Sequence, residues 1–363
     1  MDIHNLDRYM RTDGRSGEGA ITWHSPLEPP FRISGFAWLR NGSGYRRLPH
    51  LPEGAVREPV DKLADCTSGG QICFRTDSQR VEVRVALKAP ALMYHMPATG
   101  QCGFDSYVGE TGSKSYGGTV KFDPRLKEYE STVLELDSEL SQIRTITLNF
   151  PLYQGVDDIS VGLEAGAKVL PPPPFHSEKR VVLYGTSITQ GASASRPGMA
   201  YPNILSRSIN LEFINLGFSG NGRGEPELAE LVSQVDNPAC LLLDYEANCL
   251  STAYYRQTLP DFIRIYRSFH PEVPIVLMSK IAIRFEFQKR AEQAEREERL
   301  RFQQELVASL RSQGELKLTF VDGTSLIGER DHECTVDGVH PNDLGFMTMA
   351  DRLLPVLKAV LQS

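Results

Sequence analysis

The segment VVLYGTSITQG, residues 181–191, decides the fold of this chain. Its first four residues form a short apolar run rich in β-branched side chains, which is typical of a buried parallel strand. Gly185 ends the strand, and Ser187 follows two residues later, before a helical pattern begins near Met199. Open α/β sheets place catalytic groups at such strand ends. Taken alone, however, Ser187 is better explained by an ordinary strand end.

Apolar runs and amphipathic stretches alternate after this point. The predicted strands are Val181–Tyr184, Glu212–Leu216, Cys240–Leu243, Ile275–Met278 and Leu316–Val321. The predicted helices are 199–209, 225–235, 252–269, 287–313 and 344–361. Five strands alternating with helices predict a doubly wound parallel sheet. The charged run KRAEQAEREERLR in the helix 287–313 fits a solvated helix with ion pairs between its turns, or alternatively a lid or partner-binding element.

The first part of the chain has a different pattern. Short alternating or apolar runs recur between turn-forming clusters, at 32–39, 71–75, 81–86, 92–96, 118–122, 128–136, 143–150 and 158–163. Many short strands without a clear amphipathic helix predict an all-β sandwich or jelly roll. The four prolines Pro171–Pro174 cannot lie inside a sheet and favour a stiff, extended segment. We therefore predict an accessory β domain at residues 1–175 and a second domain at residues 176–363.

Composition narrows the classes of partner. The net charge of −7 gives no reason to expect a nucleic acid or an anionic membrane. No run approaches ~18 apolar residues, and the start, MDIHNLDRYM, lacks the basic flank and apolar core of a secretory signal. We expect a cytoplasmic protein whose six cysteines are free thiols. His332 and Cys334 lie close together, but two ligands alone do not make a zinc site.

Asp337 and His340 lie in the segment TVDGVHPNDLG, residues 335–345, just before the last predicted helix. A serine hydroxyl needs a base to take its proton, and an imidazole with an ordinary pKa of about 6.5 suits that role. A carboxylate then fixes the imidazole tautomer and stabilises the imidazolium. On one short loop, Asp337 can reach back to His340. The alternative is a solvated aspartate beside a helix-capping turn.

Two further strand ends carry groups that suit an oxyanion. The segment NLGFSGNG, residues 215–222, follows the second strand, and its glycine-rich backbone can present N–H groups. Asn248 follows the third strand, and its side-chain amide can donate to the same oxyanion. Taken alone, the glycine segment is better explained as a plain turn, and Asn248 can be an ordinary polar loop residue. Their joint order is more informative, because the carboxyl ends of parallel strands meet at one edge of the sheet.

This order of serine, glycine, asparagine and histidine resembles the GDSL, or SGNH, hydrolase family, over the whole second domain. The resemblance implies a flavodoxin-like sheet in which Ser187 is the nucleophile, His340 is the general base and Asp337 orients His340. The oxyanion hole would consist of the backbone N–H groups of Ser187 and Gly220 and the side chain of Asn248. No metal ion and no organic cofactor are implied.

The chain departs from the family pattern at two points. The usual Gly-Asp-Ser is GTS here, at 185–187, and the usual Gly-x-Asn-Asp is EANC, at 246–249. Neither change removes a proposed catalytic group. A G-x-S-x-G elbow is absent, which argues against an ordinary α/β-hydrolase. No GxGxxG or P-loop follows the first strand, so a nucleotide site has little support.

The first domain extends the resemblance. GFDSY, residues 103–107, is similar to the Gly-x-Asp-Leu-Tyr motif of β domains that precede one branch of this family, and ASRPGM, residues 194–199, also looks like that branch. In that branch the β domain packs near the catalytic edge. Asp105 and Tyr107 are therefore candidate substrate-binding residues. The alternative is a plain strand-edge turn.

We therefore expect a serine esterase that hydrolyses a carboxylic ester through an acyl-enzyme on Ser187. By analogy with this branch, the substrate is a small-molecule or carbohydrate ester that carries a short acyl group such as acetyl. Two alternatives remain: an acyltransferase that uses the same triad, and a non-catalytic carbohydrate-binding protein. The oligomeric state stays open, and a homo-oligomer is compatible with the sequence.

Overall fold

The computed structural model of the chain describes residues 6–7, 10–12, 19–136 and 142–362. Most of the first ten residues, for which the sequence predicts no secretory signal, lie outside this set. Among the helices of the described residues, none is both long enough and apolar enough to cross a membrane. All six cysteines are buried and unpaired, as predicted.

Antiparallel strands build the first domain. They are β1 (Ile21–His24), β2 (Arg32–Ser34), β3 (Gln71–Thr76), β4 (Arg80–Leu87), β5 (Asp105–Val108), β6 (Ser115–Thr119), β7 (Glu128–Glu135), β8 (Arg144–Asn149), β9 (Val156–Glu164) and β10 (Val169–Leu170). One sheet has the order β1-β9-β4-β7, and the other has β10-β3-β8-β5-β6 with β2 beside β3. Inward side chains of both sheets, such as Phe74, Val83 and Leu148, share one apolar core. The predicted all-β architecture is confirmed.

The prediction of a strand at 92–96 is wrong, because this segment has no regular secondary structure. Pro90 and Pro97 flank it and cannot donate backbone hydrogen bonds. The side chain of Gln101 takes the place of a neighbouring strand, since its Oε1 accepts from the N–H groups of Leu92 and Met93 at 3.0 and 2.9 Å. The segment is thereby held as a loop that projects towards the second domain.

Two short helices interrupt the first domain, where the sequence predicts none: α1 (Glu58–Ala64) and α2 (Ala98–Gln101). Val60 and Ala64 of α1 pack into an apolar core of the second domain. The two domains therefore share buried contacts. Pro171–Pro174 lie in an irregular segment after β10, where we predict the boundary between the domains.

A parallel sheet forms the centre of the second domain. Its strands are β11 (Arg180–Gly185), β12 (Glu212–Gly217), β13 (Pro238–Asp244), β14 (Ile275–Met278) and β15 (Leu318–Val321), in the spatial order β12-β11-β13-β14-β15. The helices are α3 (Ser187–Gln190), α4 (Tyr201–Ser206), α5 (Pro226–Ser233), α6 (Thr252–Phe269), α7 (Arg290–Ser312) and α8 (Asp343–Gln362). α4 and α8 pack on one face, and α5, α6 and α7 pack on the other. The predicted doubly wound, flavodoxin-like sheet is confirmed.

Two helices differ from their predicted bounds. The helix predicted at 199–209 is divided into a 3₁₀ turn, Pro197–Met199, and the short α4. The charged helix α7 begins only after a second 3₁₀ turn, Arg284–Phe287. α7 is not fully solvated, because Arg299 and Phe302 are among its buried side chains. The charge pattern predicted a solvated helix, whereas one face of α7 is buried against the rest of the domain.

Candidate active site

The carboxyl edge of the sheet brings together Ser187, His340 and Asp337. Nε2 of His340 lies 3.0 Å from Oγ of Ser187, and Nδ1 of His340 lies 2.7 Å from Oδ2 of Asp337. Both are hydrogen-bond distances, in the order nucleophile, base and orienting carboxylate. Residues that lie 153 positions apart in sequence thus form one continuous chain of contacts.

Ser187 is the first residue of α3, directly after the turn that ends β11. Thr186 caps this helix, because its hydroxyl oxygen accepts from the N–H of Ile188 at 3.3 Å. Thr186 occupies the position where the family pattern has aspartate, so the departure keeps the cap. Gly185 permits the tight turn, since a Cβ there would lie 2.0 Å from the hydroxyl oxygen of Thr189. The local sequence therefore fixes the position of the serine.

Asp337 is held in its ionised form. Its Oδ1 accepts from the backbone N–H groups of Val339 and His340 at 3.0 and 2.8 Å. Partial burial alone would raise the pKa of this carboxyl group. The two backbone hydrogen bonds and the contact with the His340 ring outweigh burial and lower the pKa of Asp337 below its ordinary value. A permanent carboxylate can hold the imidazole in one tautomer.

Ser187, Gly220 and Asn248 line one cleft. Within the described part of the chain, the backbone N–H groups of Ser187 and Gly220 donate to no other residue. The neighbouring N–H of Ser219, in contrast, donates to Oε1 of Gln190 at 3.0 Å. Gly220 has a φ of 66°, a conformation that favours glycine. Both unengaged N–H groups are thus available to an oxyanion.

Asn248 ends the 3₁₀ turn that follows β13. Its Nδ2 donates to the Phe218 carbonyl oxygen at 3.2 Å, which orients the amide and occupies one of its two hydrogens. Arg299 of α7 holds the turn from behind, because its guanidinium donates to the carbonyl oxygens of Glu246 and Cys249 at 3.1 and 3.3 Å. The charged helix therefore supports the third candidate donor.

The cleft has a volume of about 500 Å³ and a wall of mixed polar and apolar character. Its charged lining residues are Lys280, Glu286, Glu292, Glu295 and Arg299. Lys280 pairs with Glu286, and Arg299 pairs with Glu295. The apolar lining includes Leu250, Ile283 and Phe285. The charged side of the cleft suits hydroxyl-bearing groups, because a long apolar chain against it would remove water from these charges without replacing it.

His95 is a residue of the first domain that sequence reasoning missed. Its ring centroid lies 5.5 Å from that of His340, and its Nδ1 is buried with no hydrogen-bond partner among the described residues. His95, Asp337 and His340 offer ligand atoms that lie within 4.8 Å of one another, as a metal site requires. Both ring nitrogens of His340 already contact Ser187 and Asp337, so a cation bound there would compete with those contacts. No spacing or motif marks His95, because it reaches the site only through the contact between the domains.

Asp105 and Tyr107 do not line this cleft. Asp105 is fully buried, and its Oδ2 accepts from Nη1 of Arg196 at 2.7 Å and from the N–H of Gly198 at 2.8 Å. The Tyr107 hydroxyl oxygen accepts from the same Nη1 at 2.6 Å. Nδ2 of Asn149 donates to the other carboxylate oxygen at 2.8 Å. The motif thus attaches the first domain to the segment after α3, and nothing in this arrangement supports a contact with substrate.

Comparison with known proteins agrees with this architecture. Residues 178–358 match the GDSL-like lipase/acylhydrolase family, and residues 21–169 match the N-terminal domain of SGNH-hydrolase-type esterases, named GxDLY. A GDSL-like lipase from Bacteroides ovatus ATCC 8483 is 30% identical, with a TM-score of 0.84 over 94% of this chain and 98% of its own.

Two other solved structures share the fold. The salicylyl-acyltransferase SsfX3 of a tetracycline biosynthetic pathway is 23% identical, with a TM-score of 0.74 over 94% of this chain and 97% of its own. A family two carbohydrate esterase from Cellvibrio japonicus is 12% identical, with a TM-score of 0.57 over 94% of this chain and 98% of its own. A search of curated protein sequences finds no match.

Fold and sequence together define an SGNH-type carboxylic ester hydrolase with an accessory β domain. The chain belongs to the GDSL-like lipase/acylhydrolase family.

Proposed function

We propose that this protein is a serine esterase that removes a short acyl group, such as acetyl, from a carbohydrate or another polar alcohol. The observation that carries the proposal is the chain of contacts from Ser187 Oγ through His340 to Asp337, at 3.0 and 2.7 Å. The residues around it supply every group that such a mechanism requires, without a metal ion.

Acylation begins when Oγ of Ser187 attacks the ester carbonyl carbon and Nε2 of His340 takes the hydroxyl proton. The carbonyl oxygen becomes an oxyanion that accepts from the N–H groups of Ser187 and Gly220 and from Nδ2 of Asn248. The tetrahedral intermediate then collapses. Its C–O bond to the alcohol breaks, and His340 gives its proton to the leaving oxygen.

Deacylation repeats these steps with water. His340 takes a proton from a water molecule, whose oxygen attacks the acyl carbon. The bond between that carbon and Oγ of Ser187 then breaks, Oγ takes the proton back from His340, and the carboxylic acid leaves. Asp337 remains ionised throughout and stabilises the imidazolium that forms twice in each cycle.

The charged side of the cleft supports a short acyl group and a hydroxyl-rich alcohol. Glu292 and Glu295 of α7 present carboxylate oxygens there, and these can accept from sugar hydroxyls. We therefore expect kcat/KM to fall as the acyl chain lengthens from acetyl to octanoyl in a series of p-nitrophenyl esters. A rise with chain length would overturn the assignment of substrate class and leave the serine mechanism intact.

To test the substrate class, we would compare the kinetics of acetylated oligosaccharides with those of p-nitrophenyl acetate. Glu292→Gln is expected to raise KM for the sugar esters and to leave p-nitrophenyl acetate turnover unchanged. Lys127→Gln, at an exposed site in the first domain, serves as the matched control. Chelation with EDTA is expected to have no effect, and loss of activity with EDTA would instead favour a metal at His95, Asp337 and His340.

A non-catalytic carbohydrate-binding role would appear as sugar binding without turnover. Acyl transfer would appear as a new ester when a candidate alcohol is added during turnover. Product analysis in water alone and with added alcohols therefore separates hydrolysis from transfer.

A further inference from the structure

A second cavity lies between the two domains, and its lining residues are all different from those of the catalytic cleft. It has a volume of about 240 Å³. Its walls come from β2, β3 and β8 of the first domain, from the linker 173–176 and from the segment after α4. The proposed esterase chemistry makes no use of it.

Two cations of the first domain face this cavity, and neither has an acidic partner among the residues that the structure describes. Arg32 donates through Nη1 to the Pro173 carbonyl oxygen at 2.6 Å, and its guanidinium lies 4.1 Å from the Phe175 ring centroid. Its Nε is buried with no hydrogen-bond partner in the described part of the chain. Lys114 also lines the cavity, and among the described residues no carboxylate forms an ion pair with it.

The surroundings of Lys114 repel a positive charge. Burial lowers the pKa of Lys114, and the positive charges of Arg32 and Arg207 lower it further, although Cys73 opposes this shift. The one acid among the described lining residues is Glu110, which is exposed and forms no ion pair there. A half-buried cation without an ion-pair partner in the described part of the chain is costly, and an anion in the cavity would reduce that cost.

Neutral hydrogen-bonding groups complete the wall. The hydroxyl-bearing residues Ser34, Thr145, Thr147 and Ser206 are buried and line the cavity. The hydroxyl groups of Ser34 and Thr145 form no hydrogen bond with another described residue. The Gln71 amide, opposite Ser34 on the neighbouring strand, donates to Oγ of Ser206 at 3.3 Å. Hydroxyl donors beside unpaired cations are the groups that bind phosphate oxygens.

We infer that this cavity binds a small oxyanion, either free phosphate or the phosphate monoester of a small polyol. The oxyanion would lie between Arg32 and Lys114, and the hydroxyl group of Thr145 would donate to one of its oxygens. The cavity holds about eight times the ~30 Å³ that one water molecule occupies in the liquid, so a phosphate with a few attached carbons fits. Such a ligand would join the first domain, the linker and the second domain.

The test is thermal unfolding of the full chain with inorganic phosphate, against potassium chloride at equal ionic strength. A ligand that binds only the folded state raises Tm by mass action. Wild type and the control Lys127→Gln are expected to show the same rise in Tm. Lys114→Gln is expected to lose most of it, with a Kd for phosphate weakened about tenfold in calorimetry. Without phosphate, the Tm of Lys114→Gln is expected not to fall, because the cation it removes is unpaired.

Glycerol 3-phosphate distinguishes the two sources of the oxyanion. Tighter binding than inorganic phosphate supports a monoester, and equal binding supports the free ion. Thr145→Val is expected to weaken either ligand without changing the charge. The inference is overturned if phosphate raises Tm no more than chloride, or if Lys114→Gln and Lys127→Gln respond equally.

Discussion

Asp337 and Asp105 lie in two regions of the molecule that shift the pKa of a carboxyl group in opposite directions. Asp337 lies on a loop at the cleft, where hydrogen bonds from its own loop lower its pKa despite partial burial. Asp105 lies at the contact between the domains, where burial raises its pKa although Arg196, Asn149 and the N–H of Gly198 oppose the rise. Asp337 contacts His340, the proposed catalytic base, whereas Asp105 contacts Arg196, Asn149 and the backbone at Gly198.

We therefore expect Asp337 to act in the reaction and Asp105 to hold a backbone segment in position. The segment that Asp105 holds leads back to Ser193, whose N–H donates to the Pro341 carbonyl oxygen at 3.0 Å, directly beside His340. Both aspartates are therefore connected to the base, one by a single contact and the other through the backbone. Substitutions of Asp337 should change turnover, whereas substitutions of Asp105 should first change stability.

The largest effect is expected at the nucleophile. Ser187→Ala should lower kcat for p-nitrophenyl acetate by about 10⁴ to 10⁶, because the triad acts as a unit. The matched control is Ser219→Ala, which alters another serine of the same cleft and should leave kcat close to the wild-type value. Equal losses in both variants would mean that the cleft has been disturbed in general.

Asp337→Asn should lower kcat by about 10⁴, because the amide no longer fixes the His340 tautomer. The carboxyl group is ionised at every pH above its lowered pKa, so this loss should be constant between about pH 6 and about pH 8. A pH–rate profile of both proteins checks this. A defect that disappears at either pH would argue against the orienting role.

Asn248→Ala should lower kcat by roughly 10² to 10³ and change KM little, because an oxyanion donor acts mainly in the transition state. Steady-state kinetics separates the two constants. A rise in KM alone would assign Asn248 to substrate binding instead.

Asp105→Asn should destabilise the protein by about 3 kcal/mol, since it leaves Arg196 largely buried without a counter-charge. Tyr107→Phe removes only a hydroxyl acceptor of the same Arg196 and should cost about 1 kcal/mol. Urea unfolding measures both. If Asp105→Asn kept full stability but lost turnover, Asp105 would belong with Asp337 and the comparison would fail.

Asp244, which accepts a hydrogen bond from Thr189 of α3, is a third carboxyl group with a shifted pKa, and we expect its effect on stability to be smaller. Burial raises its pKa to about 7, while the hydroxyl groups of Thr189 and Tyr201 donate to it. The folded protein therefore binds this proton more tightly than the unfolded chain, and the resulting stability is lost as pH rises towards 7. Asp244→Asn should gain stability relative to wild type as pH rises from about 4 to about 7, as measured by Tm. A constant difference in Tm would contradict this.

The sequence predicted the second domain well, because strand and helix patterns there follow local rules. β11 through β15 were all anticipated, and so was the order of Ser187, Gly220, Asn248, Asp337 and His340. The first domain was less predictable. The side chain of Gln101 holds the segment 92–96 as a loop, and no local pattern reports that contact.

Residues whose roles depend on contacts between distant parts of the chain were beyond local reasoning. His95 reaches His340 only when both domains are in place. Arg299 belongs to a helix whose charge pattern suggested solvation, yet its guanidinium holds the turn of Asn248. The motif identified Asp105 as a candidate residue. Only the structure shows that Asp105 is buried, that it accepts a hydrogen bond from Arg196 and that it lies apart from the cleft.

The most direct test of the central claim is the intact mass of the protein after exposure to a fluorophosphonate. We expect one adduct on the wild type and none on Ser187→Ala. Asp337→Asn should be labelled far more slowly than the wild type. An unlabelled wild type that nevertheless hydrolyses p-nitrophenyl acetate, or a Ser187→Ala variant that is still labelled, would contradict the assignment of Ser187 as the nucleophile.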